Sequence, residues 1–256
     1  MSTRNRLRSF FAIVYLNGIL PMRAQPLYLL NTIASPLAFL FFVDIASHGA
    51  LLAFAITGGL ILTILSTGTG IQADLVHFKQ DLKFQDVVVA SPVEAPVYVA
   101  GMAFSEFVYA IPGLVVFLLL SFGVVHYTLA GSLTLLGVLV LVWAFSAAFG
   151  FTIATYFSDI REAFVFSPLI SLVMTTLPPV YYPITYIPAG WRWAAYLSPT
   201  TYAADLVHRA LQLCAVGSAC YQAPTWSAEA LDWGVLIGLT AALFILAATK
   251  ARWREP

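Results

Sequence analysis

Charge is what this sequence has least of. Of 256 residues only 9% are Asp, Glu, Lys or Arg, while 61% are hydrophobic, and the mean hydropathy is +0.88. A soluble domain carries about 25% charged residues, so a water-facing globule is excluded and most of the surface must face lipid. The charges present cancel to a formal net of zero, which leaves no basic surface for nucleic acid. Cysteine is nearly absent too: Cys214 and Cys220 are too few for a disulfide scaffold and lack the spacing of a zinc site. The four histidines, His48, His77, His126 and His208, are scattered without metal spacing. No GxxxxGKS or GxxxxGKT occurs, so the chain cannot cradle ATP phosphates by that route. Gly68-Thr69-Gly70 is followed by no Lys-Ser or Lys-Thr, and HExxH, paired CxxC and GxSxG are missing as well. The arginine-rich start lacks the compact apolar core and small-residue cleavage site of a cleaved signal peptide.

What is present is a series of apolar runs. Residues 3–25 begin with Arg4, Arg6 and Arg8 and continue with Phe10, Phe11, Ile13, Val14 and Leu16, which predicts an amphipathic helix in the membrane interface. Asn17 and Pro21 interrupt it too early for a span. Six spans are then expected, over about 27–46 (kinked at Pro36), 50–71, 96–122, 129–157, 163–177 and 231–248. The second is rich in small residues (Gly58, Gly59, Ser66, Gly68, Gly70), which let membrane helices approach closely, and the sixth carries Gly234-x-x-x-Gly238. With the N-terminus, the 72–92 and 158–162 loops and the C-terminus in the cytoplasm, that side holds Arg4, Arg6, Arg8, Arg23, Lys79, Lys83, Arg161, Lys250, Arg252 and Arg254. The other side holds Arg192 and Arg209, so the basic-residue rule puts both termini inside.

Three polar features stand out. Residues 72–92 interleave Lys79 and Lys83 with Asp74, Asp81 and Asp86, while Leu75, Phe78 and Leu82 repeat at helical spacing. A short amphipathic helix facing a protein partner fits that pattern. Glu106 is the only acid well inside an apolar run, roughly 15 Å along its helix, where an unpaired carboxylate is expensive. It is expected to be neutral or to meet a basic or hydroxyl partner. Cys214 and Cys220 flank Gly217, and either a disulfide in an oxidising compartment or two free thiols is compatible with that spacing.

The densest stretch runs from Leu177 to Leu211. Pro178, Pro179, Pro183, Pro188 and Pro199 alternate with Tyr181, Tyr182, Tyr186, Trp191, Trp193, Tyr196 and Tyr202. Each proline removes a backbone donor, and broken backbone survives at membrane depth only inside protein or beside a water-filled cavity. Aromatic residues at this density favour the headgroup interface. The stretch therefore predicts a span that breaks near Pro178, turns within the outer leaflet and returns as short helices.

Pro179-Val-Tyr-Tyr-Pro183, Ile187-Pro188, Trp191-Arg192-Trp193 and Leu197-Ser198-Pro199-Thr-Thr-Tyr202 together resemble the signature region of ABC-2 type transporter permeases, between their fifth and sixth spans. Many members have Asn-Pro where this chain has Ser198-Pro199. Arg23, Pro26 and Leu27 before the first span, and Ala90-Ser91-Pro92-Val93 before the third, are similar to that family as well. Phe157-x-Asp159-Ile160-Arg161 looks like the polysaccharide-exporting branch, whereas the loop from Lys79 to Val93 looks like the drug and lipid exporters.

The expected fold is thus an all-α membrane protein of six transmembrane helices, with an N-terminal amphipathic interfacial helix and a re-entrant helical hairpin between spans five and six. It forms one domain over 1–256: connecting helix 1–26, core 27–249, cytoplasmic tail 250–256. The resemblance implies a permease subunit of an ATP-driven exporter in the cell membrane, moving an amphipathic or glycan/lipid-type substrate, or else a drug. It implies a second permease copy, lipids and two ATP-binding subunits as partners, with ATP and Mg on those subunits and no catalytic site, cofactor or metal on this chain. Leu75, Phe78, Lys79, Leu82, Asp159 and Arg161 are then expected to couple to the ATPase, and Pro179, Tyr181, Tyr182, Pro183, Trp191 and Trp193 to form an outer gate. The rival function is an intramembrane lipid-modifying enzyme using Glu106, or Asp205 with His208, which sit at i and i+3 on one helix face.

Overall fold

The computed structural model of the chain describes residues 3–80, 91, 93–157, 159–215, 220–221 and 226–250. Leu82 of the expected docking face, Lys83 and tail residues 251–256 lie outside the described residues, as does the side chain of Lys79. The described residues form helices α1 (Thr3–Val14), α2 (Leu20–Ala24), α3 (Leu27–Ser47), α4 (Leu52–Gln80), α5 (Ala95–Ser121), α6 (Leu129–Ala154), α7 (Ile160–Thr176), α8 (Arg192–Ala195), α9 (Pro199–Ala210) and α10 (Trp226–Lys250). A π-helical turn, Tyr15–Ile19, joins α1 to α2, and no strand occurs among the described residues.

Local chemistry sets the helix ends. Pro96 opens α5, where a missing N–H costs nothing. Thr128 caps α6 by accepting from the Gly131 N–H at 3.0 Å, and Asp159 Oδ1 caps α7 by accepting from the Arg161 N–H at 2.8 Å. After α3 the chain reverses through left-handed His48 and Gly49. Among the described residues, four segments are long and apolar enough to cross a membrane: Leu52–Phe78, Pro96–Ser121, Leu129–Ala154 and Trp226–Ala247. Helix α3 offers the shorter apolar stretch Thr32–Ser47. Helix α7 has 17 residues, about 26 Å at 1.5 Å each, short of a hydrocarbon core of about 30 Å.

Helix α4 is the axis of the bundle and packs against α3, α5, α6, α7 and α9. Its apolar run was expected to end at residue 71, with a separate short helix after it. Instead α4 continues to Gln80, because polar Gln72 and Asp74 end an apolar run without breaking a helix, and no Gly or Pro intervenes. Its hydroxyls are satisfied internally: Thr57, Thr63, Thr67 and Thr69 each donate to the carbonyl four residues back. Gly59 lies on Phe117, Thr63 on Gly113 and Gly70 beside Glu106, so α5 runs antiparallel to α4. Gly68 meets Ser146 and Ile71 meets Gly150, so α6 runs parallel to it. The starts of α4, α6 and α10 therefore share one end with the close of α5, the Leu52 end; α7 begins at the opposite, Gln80 end.

Helix α1 runs alongside α5 and in the same direction. Arg6 pairs with Glu94 at 2.8 Å, Ile13 packs on Gly101, and Gly18 packs on Ser105. Phe10 meets Phe104 edge-on at 5.2 Å, and Phe104 in turn meets Trp143 of α6 at 4.9 Å. The apolar face of this amphipathic helix is thus partly spent on protein, while Leu7, Phe11, Tyr15 and Leu16 stay exposed.

Close helix contact at α4 has a direct test. A Cβ on Gly68 would stand 1.9 Å from Ser146 Oγ, whereas a Cβ on Gly234 or Gly238 would have nothing within 4 Å, so their spacing packs nothing within the chain. Gly68→Val is expected to cost about 1–3 kcal/mol through overpacking, and Gly234→Val to leave the isolated chain unchanged. Thermal unfolding of the purified protein in detergent measures both; equal melting of the two variants would contradict the α4–α6 contact.

Candidate functional site

The site is built around the end of α7. Pro178 has no N–H, so the Met174 carbonyl four residues earlier loses its helical partner. Thr200 of α9 supplies the replacement, its hydroxyl donating to that carbonyl. Tyr182 turns back and donates to the carbonyls of Thr176 and Leu177 at 3.3 and 3.1 Å. Further along, Arg192 Nε donates to the Ile187 carbonyl at 3.0 Å, the Thr201 hydroxyl to the Ala195 carbonyl, and the Tyr202 hydroxyl to the Tyr196 carbonyl at 3.0 Å. Side chains thus take over carbonyl by carbonyl where the helix ladder stops, as buried backbone demands.

This irregular segment lies within the bundle. The Val180 carbonyl would stand 2.8 Å from a Cβ on Gly58, six residues and so about 9 Å down α4 from its start. Tyr181 is 2% exposed and stacks on Phe39, centroids 5.5 Å apart. Pro178, Pro179 and Pro183 are buried, whereas Trp191 and Trp193 are exposed. Two short 3-10 turns, Ile184–Tyr186 and Ala189–Trp191, lead into α8 and α9. Ser198 takes the N-cap position of α9 before Pro199, with extended backbone, and its hydroxyl meets that of Thr200 at 2.8 Å. The Ser198 hydroxyl thus engages Thr200 and caps no helix N–H.

Between this segment and the ends of α3, α4 and α7 lies a cavity of about 1000 Å³. Phe42, Leu51, Met174, Tyr182, Trp191 and Leu197 give it an aromatic and aliphatic lining, and among the described residues no charged side chain borders it. Such a surface suits an apolar or amphipathic molecule.

Beyond α9, Arg209 bridges Asp205 at 3.8 Å and Asp232 of α10 at 3.5 Å. Cys214 and Cys220 are joined by a disulfide. It holds Tyr221 next to the segment: the Ile184 N–H donates to its hydroxyl at 3.4 Å, and its ring meets His208 at 5.3 Å. Burial pushes the Tyr221 phenol up to about 12, so it stays protonated. His208 is fully buried, edge-on to Phe54, and no side chain hydrogen-bonds to it. Asp205 faces Arg209 instead, so the two residues of the rival enzyme do not form a pair.

At the Gln80 end, the expected coupling residues separate. Leu75 and Phe78 are partly buried at the edge of the cluster that holds Ile13, Tyr98 and Phe151, while Asp159 and Arg161 are exposed around the α7 cap. Glu106 is 5% exposed, and the acid Asp74 of α4 is its neighbour. Sequence reasoning had placed Asp74 in a separate short helix after the second span, so this neighbour was hidden by the early end assigned to α4. Thr200 was equally hidden. Pro178 announces that Met174 needs a donor, but nothing local says which residue provides it.

Thr200→Val keeps the shape and removes the donor. Leaving the buried Met174 carbonyl unpaired is expected to cost about 1–3 kcal/mol, with Thr200→Ser close to the parent and Trp191→Ala neutral. Melting temperatures of the three variants check this; a parent-like Thr200→Val would show that the tie contributes nothing.

Among curated proteins none matches the chain. The ABC-2 type transporter family matches residues 9–213, from within α1 through the irregular segment and all of α9. With that match over most of its length and several helices apolar enough to lie in lipid, this multi-pass membrane protein belongs to the ABC-2 type transporter family.

Proposed function

We propose that the chain is the permease subunit of an ATP-driven exporter that moves an amphipathic or glycan/lipid-type substrate out of the cytoplasm or inner leaflet. The family match carries this reading. Its membrane domain is a transport element without an ATPase site of its own, so a separate ATP-binding subunit supplies the energy, two copies serving two permeases. The working topology has six spans, α3, α4, α5, α6, α7 and α10, with both termini in the cytoplasm of the cell membrane. Two observations support that orientation. The Leu52 end bears the Cys214–Cys220 disulfide, which requires an oxidising compartment, and the Gln80 end bears Arg161 and the continuation toward Lys83, as the basic-residue rule favours inside. In this frame α1 is the connecting helix, dipping from the inner interface along α5, and residues 177–210 are a re-entrant hairpin at the outer end.

The roles follow from the placement. Asp159 and Arg161, with residues 75–82, face the ATP-binding subunit. Leu75 and Phe78 pack toward α1 and α5, so a push arriving there moves those helices together. Tyr181, Tyr182 and the prolines around them close the outer end, and Trp191 and Trp193 anchor the hairpin in the headgroup region. The uncharged cavity beneath them supports an amphipathic cargo over a highly charged one.

Reconstitution in vesicles with the ATP-binding subunit tests the proposal. ATP-dependent movement of a fluorescent phospholipid is expected from the complex, with no ATP hydrolysis by the permease alone. Pro179→Ala and Pro183→Ala loosen the turn that follows Pro178 and displace Tyr181 and Tyr182, so both are expected to retain hydrolysis but leak or stall. Hydrolysis by the isolated chain would refute the division of labour, and normal movement in both proline variants would remove the gate.

A further inference from the structure

We infer that the outward side of α1 binds an anionic phospholipid, its phosphate held by Arg4 and Arg8 and its acyl chains lying on Leu7, Phe11 and Tyr15. Such a site requires of the proposed topology only that the Gln80 end meets a membrane surface, and it holds whatever the chain transports. At 3.6 residues per turn, Arg4, Arg8 and Phe11 fall within about 60° of one another, with Leu7 beside them. Arg6, Phe10 and Ile13 lie on the opposite side and face α5, meeting Glu94, Phe104 and Gly101. One side of α1 is therefore packed on protein. The other is open: Arg4 and Arg8 are exposed, and Leu7 and Phe11 are 54% and 63% exposed.

The register with α5 sets the level of each group. Arg6 meets Glu94 and Ile13 meets Gly101, so seven residues of α1 match seven of α5. Arg8 is then level with Pro96, where the apolar span Pro96–Ser121 begins, and Phe11 lies within that span. Arg4 stands one turn outside it. Charge at the edge of the apolar layer and rings about 4.5 Å deeper repeat the order of a phospholipid, headgroup first and acyl chain after. A free phosphate would engage the guanidinium groups and leave Leu7 and Phe11 against water. Two guanidinium forks one turn apart suit phosphate oxygens, and the α5 acid at this level, Glu94, is engaged by Arg6 on the far side at 2.8 Å. Two positive charges side by side favour a headgroup of net negative charge over a zwitterion, whose own cation they repel.

The test uses the full-length chain in phosphatidylcholine nanodiscs, without ATP. The probe is a trace of phosphatidylglycerol with a photoreactive diazirine near the top of one acyl chain. Peptide mass spectrometry is expected to find adducts between Leu7 and Leu16. Their yield should exceed that of an identically labelled phosphatidylcholine by about fivefold per arginine at low salt and fall as salt rises. Arg4→Gln with Arg8→Gln is expected to remove the excess, and Arg4→Lys with Arg8→Lys to keep part of it, because charge remains while the fork is lost. Comparing the two probes on the parent chain needs no variant. Equal labelling by both probes overturns the inference, as does an excess that survives the double Gln change. So does an excess abolished by the bound ATP-binding subunit, which would give this side of α1 to a protein. None of these outcomes bears on ATP-dependent movement in vesicles, so the lipid site and the transport reading fail separately.

Discussion

Pro178 takes away one hydrogen bond, and much of the Leu52 end is arranged around its replacement. An open Met174 carbonyl at bundle depth has neither water nor helix ladder to turn to. The chain answers with Thr200, delivered from α9, and so α9 has to lie across the end of α7. That requirement carries others with it. Placing α9 there buries Ala203, Ala204, Leu206, Val207 and His208 against the main core. Arg209 then reaches Asp232 and fixes the start of α10, and the disulfide loop brings Tyr221 back onto Ile184. A break in one helix has become the organising contact of an entire end of the molecule.

The break needs a scaffold that does not move with it, and α4 supplies that. Glycines on α4 and its neighbours let ring and backbone approach: Val180 at Gly58, Phe117 at Gly59 and Ser146 at Gly68. In lipid, where apolar surface gives little drive for helices to associate, such close packing does the holding. The hydroxyl pair Thr69–Ser171, at 2.5 Å, adds a polar tie between α4 and α7 below the break. Helix α7 is therefore gripped along its lower part and released into irregular chain above, an arrangement suited to a segment that must stay placed yet be able to shift.

Much of this was legible in the sequence. The apolar runs marked α3, α5, α6, α7 and α10 to within a few residues, since a run long enough for the bilayer has few other uses. The prolines marked where α7 ends. What escaped was pairing over distance. The polarity of Gln72 and Asp74 was taken as the end of a helix, although side-chain polarity alone does not end one, and the acid neighbour of Glu106 vanished with that choice. Likewise, Arg6 gives no sign of its partner Glu94, 88 residues away; amphipathicity indicates an apolar face but not whether lipid or α5 covers it. Cys214 and Cys220 were compatible either with a bond or with two free thiols on spacing alone.

The central claim is that residues 178–183 are broken backbone held inside the protein, not a surface loop. Hydrogen–deuterium exchange of the chain in lipid nanodiscs measures this directly. Slow exchange is expected at Val180, Ile184, Tyr186 and Ile187, whose N–H groups bond to Pro178, Tyr221, Pro183 and Ile184, at rates nearer those of α4 than those of an exposed turn. Complete exchange of this stretch within the time the termini exchange would contradict the claim.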